Sequence, residues 1–360
     1  MKRTLKWIGV LVAALLLTTG TLALHTWYAK PLSINWFYTR AFLRFALDNP
    51  ELLTSLRLFE PLGIRGHNAK LADASIAKGD AIFALFHDEL DTLKRYDASA
   101  MTGQDRISYD IFSYYLTDQV AHERWRFHDF PVNQGSGVQI ELPNLMTQQQ
   151  QINDATDAEH FIERLNAYPR KFAQVIEGLK LRESKGMLPP KFTVDKVLDQ
   201  LRKFSEPGAA GNVLTASFKE KLAKVPAGRI DMGTRNALTA RAEKAVADSV
   251  LPAYETLRVY FESLRTKAVH NRGAWAQPDG AAYYQHRIES NTTTTMTAPQ
   301  IHALGVKEVE RVGREMDAIL TAAGYTQGTR AQKIAQLAVS PSQLYPDSDA
   351  GRSQILKDFQ

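Results

Sequence analysis

Residues 7–24 (WIGVLVAALLLTTGTLAL) form one unbroken, predominantly apolar run, and no Asp, Glu, Lys or Arg appears between Lys6 and Lys30. At 1.5 Å per residue, a helix of this length just crosses a hydrocarbon core of about 30 Å. Lys2, Arg3 and Lys6 precede the run, and Thr21-Leu22-Ala23 is its one small-x-small exit, a poor one. Two readings stay open for residues 1–30: an uncleaved signal anchor, or a cleaved signal peptide. In both, the positive flank stays in the cytoplasm and the bulk of the chain is exported.

After Pro31 the apolar positions recur every three or four residues, the spacing of an amphipathic helix. Ile34–Leu47 predicts a helix packed on the body, and Asn49-Pro50 restarts the chain with proline at a first helical position. Residues 69–96 and 103–126 predict two further helices, with Ile82, Leu85, Phe86, Leu90 and Leu93 sharing a face of the first. Residues 130–155, with Pro131, Gly135, Gly137, Pro143 and the run Gln148–Gln151, read as a long irregular connection and a candidate lid. Thr156-Asp157-Ala158-Glu159 is a capping-box pattern. It opens a stripe from Phe161 through Leu165, Tyr168, Phe172, Val175 and Ile176 to Leu179, stopping near Gly186. Helix is expected again over 191–205 and over 232–270, the latter ended or kinked at Pro252. A second capping box, Thr297-Ala298-Pro299-Gln300, opens a helix with Ile301, Leu304, Val309, Val312, Met316 and Ile319 on one side and Gly324 as its stop. Asp347-Ser348-Asp349 starts a last helix, inside which the sequence ends. Strand alternation and fixed-period repeats are missing. The predicted class is mainly α: a multi-helix, bundle-like domain over residues 31–360, incomplete at its C-terminal end, behind one N-terminal hydrophobic helix.

Composition narrows the partners. The chain has no cysteine, which excludes a disulfide scaffold, a thiolate metal site and a lipid-modified N-terminal cysteine. The formal charge is +5, and Lys2, Arg3, Lys6 and Lys30 supply four of those charges in a segment without acids. The exported body is therefore almost neutral and lacks the basic footprint of a nucleic-acid partner. The partners expected instead are the inner membrane, through residues 7–24, and peptides. The compartment is the cell envelope: anchored in the inner membrane facing the periplasm, or released there if cleaved.

Nine histidines invite a search for metal ligands. No H-E-x-x-H occurs. His122-Glu123 and His128 are six residues apart, which on an unbroken helix points them about 120° apart; a solvated, charged helix end is the default there. His286 and Glu289 read as a helical surface pair. Gly135-Ser136-Gly137 lacks the first glycine of a nucleophile elbow. The densest polar stretch follows Pro278-Asp279-Gly280. Tyr283, Tyr284 and Arg287 lead to Thr292–Thr295, and together they offer phenols, a guanidinium and hydroxyls within a short span. Such groups suit a cleft holding a peptide-like substrate; buried tyrosines beside a capped loop are the plainer reading.

The string Pro278-Asp279-Gly280-x-x-Tyr283-Tyr284, Thr292–Thr295 and Ile301-His302-x-Leu304-Gly305-x-x-Glu308-Val309, with Arg311, Glu315 and Met316, resembles the bacterial domain-of-unknown-function 885 family. Asp157-Ala158-Glu159-x-Phe161-Ile162-x-Arg164-Leu165, Lys185–Lys191 and Leu47–Ile64 support the likeness. It extends over most of residues 31–360. The resemblance implies a helical fold similar to gluzincin zinc metallopeptidases, with a His-Glu…Gly-His motif downstream of the Ile-His-x-Leu-Gly helix. No such motif follows His302 here. The chain thus looks like the N-terminal, substrate-side portion of such a protein, inactive by itself, with zinc expected only in a full-length relative. Its expected substrate-binding residues are Tyr283, Tyr284, Arg287 and His302; no catalytic or metal-binding residue is assigned. The alternative is a membrane-anchored, non-catalytic helical binding or scaffold module.

Overall fold

Helices follow one another from the N-terminus without a strand among the described residues. The computed structural model describes residues 2–360, with side chains from Trp7 onward; the side chains of Lys2, Arg3 and Lys6, the basic flank, lie outside the described part. Helix α1 (Lys2–Tyr28) carries the apolar run. Trp7–Tyr28 has a mean hydropathy of 2.1, and none of it is buried. Ser33 Oγ accepts from the Trp36 N–H at 3.3 Å and starts α2 (Ile34–Leu47). Asn49 caps α3 (Pro50–Leu56), with proline in the first turn as expected.

Helices α4 (Ile76–Leu93) and α5 (Gly103–His122) are both shorter than the sequence pattern predicts. The reason lies in where the backbone donors go. Ala72 N–H donates to Glu51 and Ala74 N–H to the Gln174 side chain (3.0 Å), so residues 70–75 stay irregular until Ser75 caps α4. α5 tightens into a 3-10 turn, Glu123–Trp125. Phe37, Leu90, Leu93 and Leu116 form a small core between α2, α4 and α5. At its edge the buried pair Arg40–Glu89 (2.7 Å) is joined by Arg44–Glu89 (2.6 Å).

The main core is built by α6 (Val138–Asn144), α7 (Ala155–Asn166), α8 (Tyr168–Ser184), α9 (Lys191–Ser205), α10 (Gly208–Gly211), α11 (Val213–Lys224), α12 (Met232–Ala245) and α13 (Leu251–Arg265). α13 packs across α8 and α9, and α12 across α7 and α11. Three expectations need correction here. Residues 130–155 are not a wholly irregular connection: α6 and a π-turn (Leu145–Gln149) occupy their middle, and Val132, Val138, Leu142, Met146 and Ile152 point into the core. The helix after them is capped by Asp154, which accepts from the Asp157 N–H (2.9 Å), not by the box at 156–159; Asp157 is buried against Arg65 (2.8 Å). The single stripe from Phe161 to Leu179 belongs to two helices, because Pro169 restarts the chain in the first turn of α8. The expected break near Pro252 is present as a π-turn, Val246–Val250, between α12 and α13.

The guanidinium of Arg164 lies in the middle of this region, fully buried. Nε donates to Lys70 O (2.9 Å), Nη1 to Gln150 Oε1 (2.8 Å), and Nη2 to Thr54 Oγ1 and His67 O (2.8 Å each). Burial pushes its pKa down to about 10.

The chain divides into two compact units, Met1–Tyr283 and Tyr284–Gln360. The second holds most of α14 (Gly280–Thr292), then α15 (Ala298–Ala322), α16 (Arg330–Ala338) and α17 (Asp349–Asp358). The Thr297–Gln300 capping box forms, with Gln300 Oε1 accepting from the Thr297 N–H (2.8 Å), and Gly324 stops the helix at φ +90°. Arg330 pairs with Asp317 (2.8 Å) across Gly313, where a Cβ would approach the guanidinium to 2.5 Å. The apolar side of α15 does not form a packed face: Leu304, Val309, Val312 and Ile319 are 42–69% exposed, while Leu320 and Gly313 are buried. Helix α17 is capped by Ser348 and closes at Phe359.

Candidate functional site

A cleft of about 680 Å³ opens in the first unit between the segments 128–136, 186–193 and 267–277, with Tyr283 also on its wall. Each segment is held by specific bonds. Arg182 on α8 donates to Arg126 O (3.0 Å) and to Asp129 (2.9 Å), fixing the chain where it leaves α5. Asn133 Oδ1 accepts from the N–H groups of Gly135 (2.8 Å) and Ser136 (3.0 Å), a local turn that side-chain amides favour. Gly186 takes φ +78° at the end of α8 and lets Pro189-Pro190 run extended into α9. There Lys191 N–H donates to His270 O (2.9 Å) and Phe192 N–H to Asn271 Oδ1 (2.8 Å), stitching the second segment to the third. The Pro278-Asp279-Gly280 turn closes the third segment so tightly that a Cβ on Gly280 would lie 2.0 Å from Ala274 O.

His128 is the most constrained polar group of the cleft. It is 8% exposed, and its Nε2 sits 3.0 Å from Pro278 O. A carbonyl can only accept, so Nε2 carries the proton and Nδ1 of the neutral ring is an acceptor. Among the described residues Nδ1 has no hydrogen-bond partner, and Gln277 Oε1, on the same cleft, is buried and unpartnered as well. Leaving such a group unmatched costs about 1–3 kcal/mol, and native folds keep few of them. The His128 ring lies between Trp125 and Tyr283, with centroids 4.9 Å from each. Phe130, Leu188, Pro189, Pro190 and Val269 give the cleft an apolar wall; Asn133, Gln134 and Ser136 line it with amides and a hydroxyl. Nearby, Lys267 pairs with Glu183, and Tyr260 OH donates to the same carboxylate (3.2 Å). Burial and then the Glu183 charge push the Tyr260 phenol up.

The structure distributes the sequence candidates between the two units. Tyr283 is on the cleft wall, against His128 and Trp125. Tyr284, Arg287 and His302 belong to the second unit, where all three are exposed. No side-chain hydrogen bond joins those three to one another among the described residues. His128 was not among the candidates, because a solvated helix end was expected around it; instead α5 ends at His122 and His128 turns inward. Glu123 pairs with His87 (2.9 Å). The signal available in the sequence was the aromatic setting, Trp125-x-Phe127-His128, just ahead of Pro131.

The chemistry of the donor set bears on the zinc implied by the resemblance. Among the described residues no three His, Asp or Glu side chains come together as metal ligands, and cysteine is absent from the chain. These residues do not fit a zinc centre.

A family described as "Bacterial protein of unknown function (DUF885)" matches residues 57–360. No curated protein matches the sequence. Among solved structures, the chain is similar to a "putative lipoprotein" from Colwellia psychrerythraea: TM-score 0.76, 24% identity, 89% of this chain and 57% of that one. It is also similar to a "putative lipoprotein of unknown function" from Shewanella oneidensis, with TM-score 0.61, 14% identity, 91% of this chain and 56% of that one. The chain therefore spans less than three-fifths of the length of either.

Proposed function

The chain belongs to the DUF885 family of bacterial proteins, and from that premise we propose that it is an exported, membrane-tethered binding protein whose cleft holds a peptide-like ligand in extended form. The observation that carries this reading is the cleft of about 680 Å³ itself, where the apolar wall of Phe130, Leu188, Pro189, Pro190 and Val269 lies beside the polar side chains of Asn133, Gln134 and Ser136. A peptide supplies N–H donors at regular spacing, while the Phe130–Pro190 wall suits its side chains. The activity assigned to the cleft is binding. The tether is α1, apolar and exposed over Trp7–Tyr28.

A second reading rests on the greater length of the two solved relatives. In it, the same cleft is the substrate-side part of a longer, peptidase-like protein whose catalytic groups lie outside this sequence. Peptide hydrolysis by this chain that a chelator abolishes, or stoichiometric zinc binding, would overturn both forms.

The direct test is titration of the protein with a mixed hexapeptide pool, read by Trp fluorescence. Saturable quenching is expected; it should vanish in Trp125→Phe, and Val269→Asp, which puts a charge on the apolar wall, should weaken binding about tenfold. A linear, non-saturating response in the wild type would sink the proposal.

A further inference from the structure

A second cavity, of about 700 Å³, lies between α2, α4 and α5, far along the chain from the residues of the cleft. Phe42 and Phe45 of α2, Ile82 and Phe86 of α4, and Ile111 and Tyr115 of α5 line it. Phe42, Phe45, Ile111 and Tyr115 are 43–64% exposed. Single exposed apolar side chains are ordinary; a contiguous, concave set of them marks a binding surface.

The charges around the rim are already matched. Asp48 takes Lys78 (2.5 Å), and Glu89 takes Arg40 and Arg44. The groove thus offers apolar surface without a free charge to recognise a polar group. That combination fits a hydrocarbon chain better than a peptide, whose amides would be left unpaired.

The position of the groove identifies the source of that chain. Five residues separate the end of α1 from the start of α2, and the join is braced. Arg40 Nη1 donates to Ala29 O (2.7 Å), Tyr96 OH donates to Pro31 O (2.6 Å), and Lys30 Nζ lies 4.3 Å over the Tyr96 ring. From the start of α2, Phe42 and Phe45 are only about 12 and 17 Å along the helix. A bilayer holding α1 therefore lies only a five-residue connection and about three turns of α2 from the groove.

We propose that the groove between α2, α4 and α5 takes an acyl chain of a phospholipid from the membrane in which α1 sits. The inference rests on the tether reading above but not on the peptide cleft. The test reconstitutes the full chain in phosphatidylcholine vesicles doped with a phosphatidylcholine bearing a photoactivatable diazirine on one acyl chain. Adducts are mapped by peptide mass spectrometry, and alkaline carbonate extraction reports on the tether separately.

Adducts on α2, α4 and α5 as well as on α1 are expected. Ile111→Glu and, independently, Phe45→Gln should lower the groove adducts about tenfold through the cost of a polar group in the site, leaving α1 adducts unchanged. Both positions are half-exposed or more, and cooperative thermal unfolding checks that the variants fold. Adducts confined to α1 in a chain that carbonate leaves in the membrane would overturn the groove and keep the tether. Groove adducts in a chain that carbonate releases would keep the acyl site and sink the tether. Cross-links between two copies through α5, without lipid adducts, would assign the face to self-association and overturn the proposal.

Discussion

Arg164 and Lys221 show how differently a buried and a half-buried cation are accommodated. Arg164 has four acceptors and no carboxylate in direct contact, so its guanidinium works as a hydrogen-bond hub. Truncation would remove four hydrogen bonds at once from a buried site; Arg164→Ala is expected to cost about 3 kcal/mol or more, read from the urea unfolding midpoint. Arg164→Lys should recover only part of that, because an ammonium cannot reproduce the planar fork. Lys221 donates to Met146 O (2.5 Å) and Gln150 O (2.6 Å) at the end of the π-turn, and burial pushes its pKa down to about 8. Its unfolded value is 10.5, so the unfolded chain binds the extra proton between those two pH values. The destabilisation is then full below pH 8 and is relieved as pH rises toward 10.5. Urea midpoints of the wild type and Lys221→Met, compared from pH 7 to 10, should show the wild type gaining on the variant; a constant gap would refute the shift.

At the scale of elements, α15 makes the clearest prediction. Its apolar positions have the spacing of a packed face, yet Val309 and Ile319 are each 69% exposed. Val309→Glu and Ile319→Glu should therefore change thermal stability by no more than about 0.5 kcal/mol, the usual range for surface sites, while reducing concentration-dependent association measured by light scattering. Helix periodicity in the sequence placed α2, α9 and the starts of α3 and α15 to the residue, since each has its cap or proline in the adjoining sequence. It misplaced elements whose boundaries are decided at a distance. Residues 70–75 lose their helix to Glu51 and Gln174, about 20 and 100 residues away, and α6 forms inside a proline- and glutamine-rich stretch because Val138, Leu142 and Met146 find a core assembled from later helices. The cleft was legible only at Tyr283. His128 escaped because its burial depends on Arg182 drawing residues 126–129 onto α8, which no local pattern records.

Over the whole molecule, the first unit holds both the small α2–α4–α5 core and the main helical core, the second unit runs from Tyr284, and the matched family covers residues 57–360. The proposed divisions of labour follow that order: tether and acyl groove near the N-terminus, peptide cleft in the main body. The Arg164 hub gives a practical rule for cutting the chain. A fragment begun at the family boundary, residue 57, would remove Thr54, one of the acceptors of a fully buried guanidinium, together with buried Leu53 beside it. The smallest recombinant piece that keeps this centre whole must start ahead of Asn49, whose side chain caps the helix that delivers Thr54; the limits of sequence similarity and the limits of the cooperative unit are different boundaries.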